Sequence, residues 1–196
     1  MSRRIYVFDP PDRFVTGTVG QPGSRTFFLQ AREGRHVVSV VLEKAQVAVL
    51  ADRLGHLIAE LDRTGVTSAP AIAPPPDLSP LDEPLTEAFR AGTLTLGWDG
   101  EVERILIEAR EQTEEDADVD DLDVDEDVEG VGVDDDEDGD EGPDVLRIRM
   151  TADAARSFVE RASRVVRSGR PPCPLCGQPL DPQGHLCPRK NGAYVH

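Results

Sequence analysis

Cysteine, aromatic residues and long apolar runs are all scarce in this sequence. Three cysteines occur among 196 residues, all within the last 24; an odd, clustered set without an export signal argues against a disulfide framework. No apolar stretch approaches the roughly 20 residues of a membrane span. Residues 1–9 read as a strand without the apolar core of a signal peptide. A membrane or secreted protein is therefore excluded, and a cytoplasmic one is expected. A phosphate-cradling glycine loop, a His-Glu-x-x-His helix and a nucleophile elbow are also missing, which removes the commonest enzyme signatures. Lys and Arg are absent from residues 111–143, which hold nineteen of the 38 acids. Setting that tract aside leaves 19 acids against 21 cations, so the net charge of −17 belongs to one segment and the rest is nearly neutral. Apolar residues, at 38% even with the tract included, suffice for one sizeable core.

The cysteines point to metal. Cys173-Pro-Leu-Cys176-Gly177 has the Cys-x-x-Cys-Gly form of a zinc knuckle, in which a tight turn aims two sulfurs at one point. His185-Leu-Cys187 follows across a turn at Asp181-Pro-Gln-Gly184, and in an extended segment positions two apart face the same way. Cys173, Cys176, His185 and Cys187 then make a complete Cys₃His tetrahedron, with His196 an alternative fourth ligand. A full protein shell suits structural Zn²⁺ rather than a catalytic ion with an open position. A zinc deaminase would also need Glu two residues after a His, and none of the histidines has one. A thioredoxin-like dithiol would sit between strand and helix, whereas this one follows a helix and a Pro-Pro break.

The chain repeats itself. Phe27-Phe-Leu-Gln-Ala-Arg-Glu33 aligns with Ile105-Leu-Ile-Glu-Ala-Arg-Glu111 at an offset of 78. Val40-Val-Leu42 and the helix after it align with Ile148-Arg-Met150 and its helix at 108, matching Leu50 to Phe158, Asp52 to Glu160 and Arg53 to Arg161. The difference of 30 is about the length of the acidic tract, which therefore reads as an insertion into a hairpin that in the first copy turns at Glu33-Gly-Arg35. Each copy predicts three strands and a helix: 13–20, 25–33 and 36–42 with helix 43–63, then 93–98, 101–110 and 144–150 with helix 152–168. Thr151 is placed to cap the second helix. Residues 65–83, rich in Ala and Pro, read as a stiff linker with no two prolines three apart. Pro84 to Ala91 reads as a short helix. Because each unit has one apolar sheet face and one apolar helix stripe, the expected architecture is a single α+β domain over 1–168. In it, duplicated βββα units (13–64 and 93–168) pack about an approximate two-fold, residues 112–143 form a disordered acidic insert, and 169–196 a zinc-knuckle tail.

Asp9-Pro-Pro-Asp-Arg-Phe-Val-Thr-Gly-Thr-Val-Gly-Gln21, Phe27 to Glu33, and Cys173 to Arg189 together resemble an actinobacterial family catalogued as domain of unknown function 3090. The resemblance covers nearly the whole chain apart from the acidic tract. It implies a cytosolic bacterial protein, often encoded beside a phosphatase-like and a kinase-like protein, which become candidate partners. It carries over no catalytic residue.

Other chemistry is thinner. Asp134, Asp136, Asp138 and Gly139 imitate the start of a calcium loop, but its twelfth position is Val145 rather than Glu, and a tract so charged is expected to be solvated. Arg13, Arg32, Arg53, Arg110 and Arg161 form a candidate anion site; the bland alternative is pairing with acids such as Asp52 and Glu160. The basic stretch 161–196 beside the knuckle raises nucleic-acid binding, which the acidic tract would oppose by competing for the cations. The sequence thus favours a non-enzymatic, zinc-binding adaptor with protein partners. An enzyme acting on an anionic or phosphorylated small molecule is the alternative, and nucleic-acid binding through the tail a second one.

Overall fold

A computed structural model of the chain describes residues 3–68, 75–113, 141–169, 173, 175 and 176. Strands β1 (Ile5–Phe8), β2 (Arg13–Gln21), β3 (Ser24–Glu33) and β4 (His36–Leu42) lead into helix α1 (Lys44–Arg63). Strands β5 (Glu87–Asp99), β6 (Arg104–Glu111) and β7 (Val145–Met150) lead into α2 (Ala152–Arg167). The fold is thus mixed α+β, with one seven-stranded sheet in the order β1-β7-β6-β5-β4-β3-β2. No helix among the described residues is long and apolar enough to cross a membrane.

That sheet cannot lie flat. Its two edges, β1 and β2, are consecutive in sequence, and six strand spacings of about 4.8 Å would hold them some 29 Å apart. The link through residues 9–12 spans at most about 18 Å when fully extended. The sheet therefore curls until its edges approach, and side chains meet across the interior: Phe8 of β1 stacks on His36 of β4 at 5.3 Å, and Tyr6 on Phe89 of β5 at 6.4 Å. Together β1 and β2 do what β5 does as one strand. β1 pairs parallel with β7 and β2 antiparallel with β3, while β5 pairs parallel with β4 through its first half and antiparallel with β6 through its second.

The concave side is the core. Phe27, Leu29 and Ala31 of β3, Val38, Val40 and Leu42 of β4, Ile105, Ile107 and Ala109 of β6, and Leu146, Ile148 and Met150 of β7 alternate inward, as the period of two in strands requires. The helices close it with stripes at three- and four-residue steps, Val47, Leu50, Leu54, Ile58 and Leu61 on α1 and Ala155, Phe158 and Ala162 on α2. α1 packs against α2 and reaches β5, whereas α2 reaches β2, where Phe158 stacks on Phe14 at 4.7 Å. Thr151 caps α2 as expected, its hydroxyl accepting from the Ala154 N–H at 3.3 Å.

Two expectations change. Pro84–Ala91 is not a helix: β5 begins at Glu87, and Phe89 and Ala91 are buried in the core. Pairing with β4 overrides the local helical signal, as tertiary context commonly does. The strand foreseen at 101–110 begins at Arg104, because Asp99 ties the N–H groups of Glu101 and Val102 into a turn that ends with Glu103 at φ 52°.

The register carries the offsets seen in the sequence. Phe27 lies opposite Leu42 and Ile105 opposite Met150; Arg32 lies opposite Val37 and Arg110 opposite Val145. The acidic tract leaves and re-enters at a closed end, where the Glu111 N–H donates to the Asp144 carbonyl at 2.8 Å and the Asp144 N–H to Glu111 Oε2 at 3.1 Å.

Candidate functional site

The linker after α1 becomes, in its described part, a strap around the outside of the sheet. Pro75 accepts from Ser157 Oγ of α2, residues 77–80 pass the outer edge of β2, and residues 81–82 lie on the convex face of β2 and β3. Leu81 rests on Gly17, where a Cβ would fall 2.8 Å from Leu81 Cγ. Gln30, buried on the convex face, receives the Asp82 N–H at 2.8 Å and donates to the Asp82 carbonyl and to Ser39 Oγ.

Two of the five candidate arginines fasten this strap. Arg13 donates from Nε to Asp77 at 2.5 Å, from Nη1 to Asp82 at 2.8 Å, and from Nη2 to the carbonyls of Ser79 and Pro80. Arg161 bridges the edge: Nε donates to the Thr16 carbonyl at 2.5 Å, and Nη1 to the carbonyls of Asp77 and Ser79. The hydrogen bond from Arg13 holds the Asp77 carboxyl down at about 2, and the same bond raises the Arg13 guanidinium. Burial lowers Arg161, whose donors meet mostly backbone carbonyls.

The others are dispersed. Arg32 stands 3.5 Å from Asp82 at the margin of the same cluster, Arg110 3.8 Å from Glu108 on β6, and Arg53 on α1. Arg32 and Arg110 are three strands apart, about 14 Å in spacing alone. Two surface hollows, one between α1 and α2 along Ala51, Gly55 and Val159 and one below β4 and β5 at Tyr6, His36 and Glu87, contain none of the five. Asp52 lies 3.5 Å from His56 and Glu160 2.7 Å from Arg164, so those acids pair with neighbours on their own helices.

A second charged group lies on the convex face of β6 and β7. Glu108 and Arg147 face each other across the strands with Nε and Oε1 2.5 Å apart, and both are buried. At the matching place on β3 and β4, Gln30 and Ser39 form a neutral hydrogen bond of 3.0 Å. Sequence reasoning did not single out Asp77, Asp82, Gln30, Glu108 or Arg147. Gln30 and Glu108 were detectable as polar residues at one repeat position inside apolar strands, whereas the two aspartates stand in a proline-rich stretch that looked like spacer.

Of the four expected metal ligands, Cys173 and Cys176 are described, and His185 and Cys187 lie outside the described residues, as does His196. Cys173 is buried and its Sγ accepts the Leu175 N–H at 3.4 Å within the turn. A backbone N–H aimed at the sulfur in this way stabilises negative charge on it. Among the described residues no group of three or more metal-ligating side chains converges.

The model of a family described as protein of unknown function (DUF3090) matches residues 6–187. No curated protein and no solved structure matches the chain.

Proposed function

The chain belongs to the DUF3090 family, whose description assigns no activity, and we propose from the geometry that it is a non-enzymatic binding protein whose C-terminal tail is held by one structural Zn²⁺. The observation that carries the metal is the turn at Cys173, where a backbone N–H already points at a buried sulfur. Cys173, Cys176, His185 and Cys187 would hold the ion, which supplies rigidity to a segment too short for a core of its own. The binding role is supported by how the buried charges are used. Arg13 and Arg161 anchor the strap, Glu108 meets Arg147, and Asp144 meets Arg4 at 3.0 Å, so each stabilises the fold itself. A catalytic anion site built on Arg13, Arg32, Arg53, Arg110 and Arg161 has less support, because its two most buried members are already committed.

We read the two βββα stretches as copies of one unit about an approximate two-fold through the curled sheet. The equal registers support this, as does the reciprocal reach of α2 to β2 and α1 to β5. The setting we propose is cytoplasmic, with protein partners.

Metal analysis of the purified full chain tests the first part. About one zinc per chain is expected, falling to a small fraction in Cys176→Ser. An unmutated protein that carries no zinc, even after reconstitution under reducing conditions, overturns the assignment.

A further inference from the structure

β2 and β5 run parallel, and each pairs with the strand that follows it on the same side. β4 ends at Leu42 and pairs with β5 only as far as Arg90, so from Leu94 to Asp99 no described strand flanks β5 on that side. For L-residues, side-chain face and strand direction together fix the side to which N–H and C=O project. The Thr16 carbonyl turns away from β3, since it accepts from Arg161. Leu96 lies opposite Ile107 as Thr16 lies opposite Leu29, in a parallel strand and on the same core-facing side. The N–H and C=O groups of Leu94, Leu96 and Trp98 therefore also project out of the sheet edge.

At the β2 edge the strap fills this place; at the β5 edge the residues that align with its receptors have no such segment beside them among the described residues. Arg53 is the α1 counterpart of Arg161, and among the described residues it has no hydrogen-bond or ion-pair partner. Gly97, opposite Leu106, is the counterpart of Gly17, opposite Phe28. A Cβ at Gly17 would collide with Leu81, whereas one at Gly97 meets nothing within 4 Å. The first copy thus shows the occupied form of a seat for which the second has no occupant among the described residues.

We infer that the Leu94–Asp99 edge, with Arg53 at one end and Gly97 beneath, is a docking slot for an extended segment of a partner protein. Its chemistry follows the strap: backbone carbonyls and one carboxylate for Arg53, as Arg161 Nη1 has Asp77 Oδ1 at 3.6 Å, then a leucine-sized side chain four residues later for the space over Gly97. Thr93 stands where Arg13 would be needed to clamp a second acid, so the partner is held more weakly than the strap and can exchange. The inference rests on the reading of the protein as a binding module and names the class of its partner.

The chain has one tryptophan, Trp98, within the slot, so its fluorescence reports occupancy. The probe is a synthetic peptide with the sequence of residues 75–82, titrated into the full, zinc-analysed chain, with amide shifts recorded in parallel. Saturable binding is expected, with shifts at Leu94, Leu96, Gly97 and Trp98. Affinity should fall about tenfold or more in Arg53→Ala, in Gly97→Val, and with alanine replacing the peptide's first aspartate. Both variants should keep the urea midpoint of the parent, Gly97→Val because the space above it is open. Four results overturn the slot: no binding at millimolar peptide, binding indifferent to both variants, shifts centred on Thr16 and Arg161 as the peptide displaces the strap, or self-association abolished by Gly97→Val, which would give the edge to a second copy. A zinc-loaded chain that ignores the peptide refutes the slot alone; a metal-free chain that binds it refutes the zinc reading alone.

Discussion

Replacing Asp77 by Asn isolates the charge that fastens the strap. In the folded protein its carboxyl lies at about 2, against 3.8 unperturbed, chiefly through the hydrogen bond from Arg13. At about 1.4 kcal/mol per unit, that difference is worth roughly 2.5 kcal/mol before screening. The Asp77 side chain is 36% exposed, so solvent takes about half, leaving near 1 kcal/mol. Because the folded value is depressed, the contribution is complete above about pH 4 and disappears as the pH falls toward 2. Asp77→Asn should therefore be about 1 kcal/mol less stable in urea at pH 6, a loss of some 2–4 °C in Tm for a domain of this size, and the gap should close by about pH 2. Other carboxylates titrate in both proteins and cancel in the difference. If the two stability curves remain parallel from pH 6 to pH 2, the ion pair does not hold the strap as described.

Three further outcomes follow from the same geometry. Glu108→Gln removes the carboxylate that faces buried Arg147 across the strands and should cost about 3 kcal/mol; adding Arg147→Ser, which copies the Gln30–Ser39 pair, should restore most of it, and a double variant no more stable than the single in urea would refute the equivalence. Gly17→Ala pushes on Leu81 and should cost about 1–2 kcal/mol, whereas Gly97→Ala should change the urea midpoint by less than about 0.5 kcal/mol. Replacing residues 114–140, which hold 17 of the acids, by a short turn takes the net charge from −17 to 0, and should leave Tm within a few degrees because the hairpin is closed at Glu111 and Asp144, while solubility near neutral pH falls sharply.

Local pattern revealed much of this fold. The stripe from Val47 to Leu61 could be read because a helix repeats every 3.6 residues, and the likeness of β3–β4 to β6–β7 because offsets of 78 and 108 preserve which side chains face the core. The place of β1 was hidden, since Val7 pairs with Arg147 through contacts that no window of neighbouring residues contains. The start of β5 was misread for the same reason: residues 84–91 carry a helical signal, and only β4 makes them a strand. Among the candidate arginines, the sequence marked cationic positions but could not say that Arg13 and Arg161 would find their acceptors in the proline-rich segment, because the backbone carbonyls of Asp77 and Ser79 are acceptors whatever side chains they carry.

The pairing of Ile5 with Val145 also sets a timetable. On a ribosome the first strand is made well before its partner, which follows some 140 residues later, after the whole acidic tract. Until then Phe8 has no finished interior to enter, so the growing chain carries an apolar side chain that stays unburied until Val145–Met150 has been made.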